Sequence, residues 1–230
     1  MPTAALDAMP RTLHIHQRLL GKNAEIANRN RERFHARRLL TVNILSSPGS
    51  GKTALLERLL ADGFAKDRVG IIVGDLATDN DARRLSRFGP RVIQVATGNI
   101  CHLEASMIDE ASQSLGLDGL DLLIIENVGN LVCPAGYDLG EDLRVVLVSV
   151  TEGEDKPLKY PSAFKSAHVV VISKVDLAPH LDFDRATLEA NVRAVAPQAA
   201  IIAVSAKTGE GLPGWYSFLR DRRAHVVERT

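Results

Sequence analysis

Leu40-Thr41-Val42-Asn43-Ile44-Leu45-Ser46-Ser47-Pro48-Gly49-Ser50-Gly51-Lys52-Thr53 decides the fold of this chain. A largely apolar run, Leu40–Leu45, passes directly into a glycine-rich turn, and an apolar-patterned helix follows over Thr53–Ala61. The turn meets the pattern GxxxxGK[ST] except that Ser46 stands at its first glycine. Gly49 and Gly51 let the backbone curl so that several N–H groups face one point, and the helix N-terminus adds the positive end of its dipole. Ser50 lies between them. Lys52 is placed to reach β and γ phosphates, and the Thr53 hydroxyl to ligate Mg²⁺. A glycine-rich turn beside a chance lysine would lack the strand before it and the helix after it.

Outward from this loop, apolar runs alternate with helical stretches. Strands are expected at Leu40–Leu45, Val69–Val73, Val92–Val95, Leu122–Ile125, Val145–Val150, Val169–Ile172 and Ala200–Val204. Helices are expected at Thr53–Ala61, Asn80–Phe88, Cys101–Leu115, Phe183–Ala196 and Leu212–Val227. Continuous Val/Ile/Leu runs mark strands covered on both faces, the parallel-sheet case. The expected fold is α/β, a doubly wound, mostly parallel sheet of the P-loop NTPase type, with its sites at the C-terminal ends of the strands. Residues 1–38 read as an N-terminal tail and a helix from about Leu13 to Arg38, weakened by Gly21. Residues 39–230 read as one nucleotide-binding domain.

Composition narrows the choices. At 230 residues, with 45% hydrophobic and 24% charged residues, the chain suits one well-packed domain. Lys+Arg and Asp+Glu are equal at 28 each, so no global basic field recommends nucleic acid as a partner. No apolar run approaches the roughly 20 residues of a membrane helix, and Met1–Arg38 lacks the apolar segment of a secretory signal. A cytoplasmic protein is expected. Its two cysteines, Cys101 and Cys133, then read as a free or metal-binding pair rather than a disulfide.

The base is selected later in the chain. Ser173-Lys174-Val175-Asp176 ends a buried strand in the manner of an [NST]KxD motif. A carboxylate at Asp176 accepts from guanine N1–H and the exocyclic amine, whereas adenine would leave it unpaired. The Lys174 stem can lie along the base plane. Ser205-Ala206-Lys207 ends the next strand, where a backbone N–H can reach guanine O6. Each element alone is weak, but in this order after a phosphate loop they indicate GTP. Glu126-Asn127-Val128-Gly129 ends another strand; Glu126 is placed to hold the Mg²⁺ shell and the Gly129 N–H to sense the γ-phosphate. Asp75, in Gly74–Asp81, is placed to act on Mg²⁺ or to orient the attacking water. Asp79 and Asn80 read as helix caps rather than catalytic groups.

Cys101-His102 opens an expected helix, and Cys133 follows Gly129 by four residues. Two thiols and an imidazole suit Zn²⁺ or Ni²⁺, although three ligands leave the coordination open. On composition alone the cysteines equally pack as small hydrophobes.

Taken together, the segments from about Leu40 to Gly211 resemble the HypB family of hydrogenase nickel-incorporation GTPases, in the SIMIBI class of P-loop GTPases. The resemblance rests on Ser47–Thr53, Gly74–Asp81, Cys101-His102-Leu103, Glu126–Pro134, Thr151–Pro161 and the Lys174/Asp176 element. It implies hydrolysis of GTP to GDP and phosphate, with Lys52, Asp75 and Glu126 in the reaction. It implies that Cys101, His102 and Cys133 bind nickel or zinc at a GTP-dependent homodimer interface. It further implies that the partners are other hydrogenase maturation factors and the hydrogenase large subunit. Two departures are visible. Only His14 and His16 precede the helix, so no nickel store is expected there. Ser106 stands where some members carry a second histidine, which leaves Glu104, Asp109, water or a partner subunit as the fourth ligand. The loop Glu152–Lys156 with Lys159 reads either as reaching nucleotide across such a dimer or as an exposed charged loop.

Because Cys133 lies so near the Glu126–Gly129 element, loss of the γ-phosphate would move the thiolate with it. GTP would then assemble a composite metal site and hydrolysis would release nickel. A related GTPase serving urease or a cobalamin enzyme is the nearest alternative, and a small-molecule kinase the more distant one.

Overall fold

The computed structural model describes residues 15–64, 68–75 and 78–229. All seven expected strands form one wholly parallel sheet. They are β1 (Leu40–Ser46), β2 (Val69–Asp75), β3 (Arg91–Ala96), β4 (Leu122–Gly129), β5 (Leu143–Ser149), β6 (Val169–Ser173) and β7 (Ala200–Ala203). Their order is β3-β2-β4-β1-β5-β6-β7. β1, which feeds the phosphate loop, is therefore central, and the order reverses on either side of it, where ligands gather in open α/β sheets. β1, β4, β5 and β6 are buried throughout or nearly so, which explains their unbroken Val/Ile/Leu sequences.

The helices are α1 (Ile15–His35), α2 (Lys52–Ala61), α3 (Asn80–Ser86), α4 (Ala105–Leu115), α5 (Lys156–Lys159), α6 (Pro161–Lys165), α7 (Arg185–Val195) and α8 (Leu212–Glu228). α2 and α8 cover one face, where Leu56, Leu59, Trp215 and Leu219 pack against Val42, Ile44 and Val145. α1 and α4 cover the other near β2 and β4, around Phe34, Ile108, Leu123 and Ile125. α6 and α7 cover the β5–β6 side through Phe164, Leu188 and Val192. No helix of the described residues is long and apolar enough to cross a membrane.

α1 is docked rather than appended. Asn23 Oδ1 accepts from the Ala105 N–H at 2.8 Å, and Asn30 Nδ2 donates to the Ala105 carbonyl at 2.9 Å. Arg33 pairs with Asp109 at 2.5 Å. His14 and the side chain of His16 lie outside the described residues.

The expected helix at Cys101 begins four residues later, at Ala105. Leu103, fully buried, fills the space beside Gly74, where a Cβ would meet its side chain within 3.0 Å. This pins the preceding loop, and Asn23 of α1 satisfies the N–H that opens the helix. The short helices α5 and α6 were not expected; each carries a proline in its first turn, at Pro157 and Pro161.

β4 does not pair evenly with β1. Ile44 faces Glu126 but Ser46 faces Gly129, so β4 carries one extra residue at Asn127–Val128. Such bulges recur beside functional sites, where they re-aim a strand end.

Candidate functional site

The phosphate loop closes around a cleft of about 400 Å³ lined by Gly49, Gly51, Lys52, Thr53, Asp75, Asp81, Arg84, Glu126 and Gly129, among others. Gly49 and Gly51 both take left-handed conformations, φ 73° and 99°, which side chains resist. Lys52 Nζ donates to Ser46 Oγ at 2.9 Å, so the serine at the first motif position steadies the lysine. Burial pushes the Lys52 ammonium below its usual pKa, opposed by Glu126, Asp81, Glu152 and Asp75. Gly129 meets the loop at its other edge, where a Cβ would stand 3.1 Å from Pro48 Cα. The glycine therefore serves close approach of β4 to the loop.

The Thr53 hydroxyl donates to Glu126 Oε1 at 2.7 Å, while Glu126 Oε2, equally buried, has no hydrogen-bond partner. Burial raises the Glu126 carboxyl to about 7, and the Thr53 hydroxyl and Lys52 pull the other way. A buried hydroxyl and a carboxylate with one oxygen unused form a hard oxygen donor set of the kind Mg²⁺ accepts. The residues fit the ion. Asp75 closes the same cleft at the end of β2, its carboxylate accepting from the Thr78 N–H at 3.2 Å and the Thr78 hydroxyl at 3.3 Å. Leu76 and Ala77, within the same motif, lie outside the described residues. Asp79 occupies the N-cap position of α3 but makes no side-chain cap; it pairs instead with Arg83 at 2.8 Å. Asn80 is the first helical residue.

A second cleft, about 350 Å³ and more apolar, adjoins the first at Gly51 and Ala54. Lys174, Asp176, Ala206 and Lys207 line it. The base and phosphate elements are tied together: Lys174 Nζ donates to the Gly49 carbonyl at 2.6 Å, and Ser173 Oγ to that of Ser50 at 2.6 Å. Lys174 itself is left-handed, φ 58°, which turns its stem over the loop. Ser205 Oγ donates to Asp176 Oδ1 at 2.6 Å and orients the carboxylate. Asp176 is partly exposed where it lines the cleft.

In the loop Glu152–Lys156, Glu152 and Lys156 are less exposed than a solvated charged loop would leave them. Glu152 turns inward, accepting from Ser50 Oγ at 2.7 Å and from the Ser149 N–H at 2.9 Å. Lys156 Nζ lies 3.4 Å from Glu152 and 3.3 Å from Ser47 Oγ. Both residues brace the chain's own phosphate loop. Lys159 is exposed and pairs with Asp155.

The cysteines come together beyond the C-terminal ends of β3 and β4. Cys101 lies on the loop after β3, and Cys133 opens a 3₁₀ turn, Cys133–Gly136, after β4. Free or metal-binding thiols were expected; the structure instead joins the two as a disulfide, with Cα atoms 6.2 Å apart. Asn130 Nδ2 donates to the Cys101 carbonyl at 3.5 Å, holding the two segments within bonding range. His102 Nδ1 lies 4.0 Å from Cys101 Sγ, and its ring stacks on Tyr137 with centroids 3.9 Å apart. Burial lowers the His102 pKa, so the ring is neutral at pH 7. Glu104 Oε1 stands 3.6 Å from His102 Nε2, too far for a hydrogen bond. Asp109, a possible fourth ligand on sequence grounds, is held by Arg33 instead. Among the described residues no group of three or more His, Cys, Asp or Glu side chains is arranged to hold a metal ion. The expected trio is thus brought together, but not as a formed site.

These features define a P-loop nucleotide-binding protein. The family described as "CobW/HypB/UreG, nucleotide-binding domain" matches residues 40–203. The chain is 50% identical over 215 residues to hydrogenase maturation factor HypB of Escherichia coli K12, covering 93% of this chain and 73% of that one. It is 41% identical over 220 residues to hydrogenase/urease maturation factor HypB of Helicobacter pylori, covering 94% and 90%. Among solved structures, HypB of Helicobacter pylori in complex with nickel superposes with a TM-score of 0.84 at 41% identity, covering 89% of this chain and 96% of that one. HypB of Archaeoglobus fulgidus gives 0.82 at 40%, covering 88% and 99%. The GDP complex of the signal recognition particle 54 kDa protein from Aeropyrum pernix, at 13% identity and TM-score 0.56, shares the fold; it covers 97% of this chain and 57% of that one. The chain belongs to the CobW/HypB/UreG family, and within it to the HypB hydrogenase maturation factors.

Proposed function

We propose that this chain hydrolyses GTP and uses the cycle to take up and release nickel during maturation of a hydrogenase in the cytoplasm. The observation that carries the reading is the pairing of Cys101 with Cys133, which lies on the direct continuation of β4 four residues beyond the cleft residue Gly129. In the cleft, Lys52 and the loop N–H groups hold the phosphates, Thr53 and Glu126 would hold Mg²⁺, and Asp75 orients water toward the γ-phosphorus. Bound there, the ion would neutralise negative charge on the phosphates. Asp176, held by Ser205, reads guanine.

Nickel is cargo, and zinc is the competing ion for the same donors. In the reduced chain the two sulfurs become thiolate ligands beside a neutral imidazole. Three ligands per chain are completed most simply by a second copy, so a homodimer in the GTP state, loosened by hydrolysis, fits the donor count. The nickel-bound relative supports this assignment, and the relatives' names support other maturation factors and the hydrogenase large subunit as partners. The hydrogenase/urease name of the Helicobacter pylori relative makes urease a second candidate client.

Competition binding with GTP and ATP tests the base reading: GTP is preferred by about tenfold or more, on the order expected when adenine leaves the Asp176 carboxylate without its paired donors. Nickel titration of reduced Cys133→Ala tests the cargo site. Weakened binding supports it, and unchanged affinity in both nucleotide states removes it.

A further inference from the structure

Four buried polar side chains run in a row from the nucleotide cleft to the two cysteine-bearing segments, and the nucleotide and metal roles proposed above leave them unassigned. Asn127 sits in the β4 bulge and lines the nucleotide cleft together with Glu126 and Gly129. Its Oδ1 accepts the Val128 N–H at 2.9 Å and the Leu103 N–H at 3.4 Å. Leu103 follows His102 directly. Asn127 Nδ2 donates to Asn43 Oδ1 at 3.2 Å, and Asn43 Nδ2 donates to Glu141 Oε1 at 3.2 Å. Glu141 Oε1 accepts from Arg144 Nε at 2.7 Å. The Arg144 guanidinium then donates to the Ala135 carbonyl at 3.0 Å and the Tyr137 carbonyl at 2.8 Å. Those carbonyls belong to the turn that carries Cys133 and to the residue stacked on His102. Asn43, Asn127, Glu141 and Arg144 are each less than 9% exposed.

We propose that Asn127, Asn43, Glu141 and Arg144 are positioning residues that couple the nucleotide cleft to both metal-bearing segments at once; the inference rests on the proposed nickel cycle. The argument is one of placement and cost. A buried Glu–Arg pair is a poor stabiliser compared with apolar residues of the same volume, so its use here points to a demand for geometry. Asn43 interrupts an apolar strand for the same reason. The bulge supplies the movable element: one extra residue between two cleft residues lets the β4 end shift while β1 stays fixed. A shift of Asn127 reaches the Cys101–His102 loop through Leu103, and reaches the Cys133 turn through Asn43, Glu141 and Arg144. Close-packed, fully bonded networks pass such a shift as alternative arrangements rather than absorbing it.

The test is nickel titration of the full-length, reduced chain with GDP and with a non-hydrolysable GTP analogue, for wild type, Asn127→Ala and Arg144→Lys. In wild type the two affinities differ by about 5- to 150-fold, the usual span of coupling between two sites. In both variants nickel still binds, but the two affinities converge to within about twofold, well inside that span. Arg144→Lys keeps the charge opposite Glu141, loses the forked donation to the two carbonyls, and leaves GTP affinity unchanged. If Asn127→Ala does not fold, Arg144→Lys decides alone. A variant that retains the wild-type ratio, or weakens nickel equally in both states, overturns the relay and leaves the nickel cycle standing. A wild-type ratio of one overturns the cycle and the relay with it.

Discussion

The nucleotide cleft and the cysteine loops lie side by side, yet they are built to different standards. In the cleft nearly every functional group is already held: Lys52 by Ser46, Thr53 by Glu126, Asp176 by Ser205, and the loop itself by Lys174, Ser173 and Glu152. At the cysteine loops the sulfurs are joined to each other and His102 rests on Tyr137. A cleft that binds one ligand throughout its cycle gains from rigidity, since less ordering is needed at each turnover. A site that must release its cargo gains from ligands that have another arrangement available. The contrast is consistent with nucleotide as the fixed ligand and metal as the transient one.

The comparison can be broken most forcefully at Lys52. Lys52→Met keeps the stem and removes the charge, and GTP hydrolysis measured by phosphate release falls on the order of a hundred- to a thousandfold, as for other groups that meet developing charge. Nickel binding in the absence of nucleotide stays as it was. The next effect concerns Glu126, whose carboxyl is raised from 4.5 to about 7. The folded chain therefore keeps this proton to higher pH than the unfolded chain does. Its contribution to stability declines as pH rises from about 4.5 to about 7, by about 3 kcal/mol in all, and is level above that. Denaturation midpoints of the nucleotide-free chain across that window show the decline, and Glu126→Gln flattens it.

Asp176→Ala comes third, lowering GTP affinity about 10- to 100-fold with little change for ATP, because only guanine offers the paired donors. Parallel titrations with the two nucleotides read it. The smallest effect sharpens the contrast from the other side. Asp109→Asn weakens the half-exposed pair with Arg33, costs up to about 1 kcal/mol in thermal or chemical unfolding, and leaves nickel stoichiometry intact. A loss of nickel there would return Asp109 to the ligand set.

Much of this architecture was legible in the residues. Seven apolar runs became seven parallel strands, the central ones unbroken Val/Ile/Leu because they are covered on both faces, and Ser46–Thr53 specified its turn through glycines that take left-handed backbone. The base motif was readable because Asp176 and Ser205 each lie just past the end of a strand, β6 and β7. What escaped depends on contacts between distant segments. The delayed start of α4 requires Leu103 under Gly74 and the Asn23 acceptor on α1, neither of which local periodicity reveals. The inward turn of Glu152 onto Ser50 was hidden in a charge-rich stretch that reads equally as solvated surface. The β4 bulge left no local mark, since Asn127 and Val128 look like any strand end. A signal for the buried network did exist: Asn43 within Leu40–Leu45 and Arg144 at the head of an apolar strand are polar residues where burial is expected, and buried polar groups require partners. The disulfide was missed because the compartment argument concerned redox state, whereas the pairing follows from two loops meeting over β2.

The most direct test of the account is the nickel dissociation constant of the reduced wild-type chain, measured once with GDP and once with a GTP analogue that is not cleaved. The account predicts tighter binding with the analogue, accompanied by dimer formation in sedimentation. Equal constants, with a monomer in both states, would contradict it.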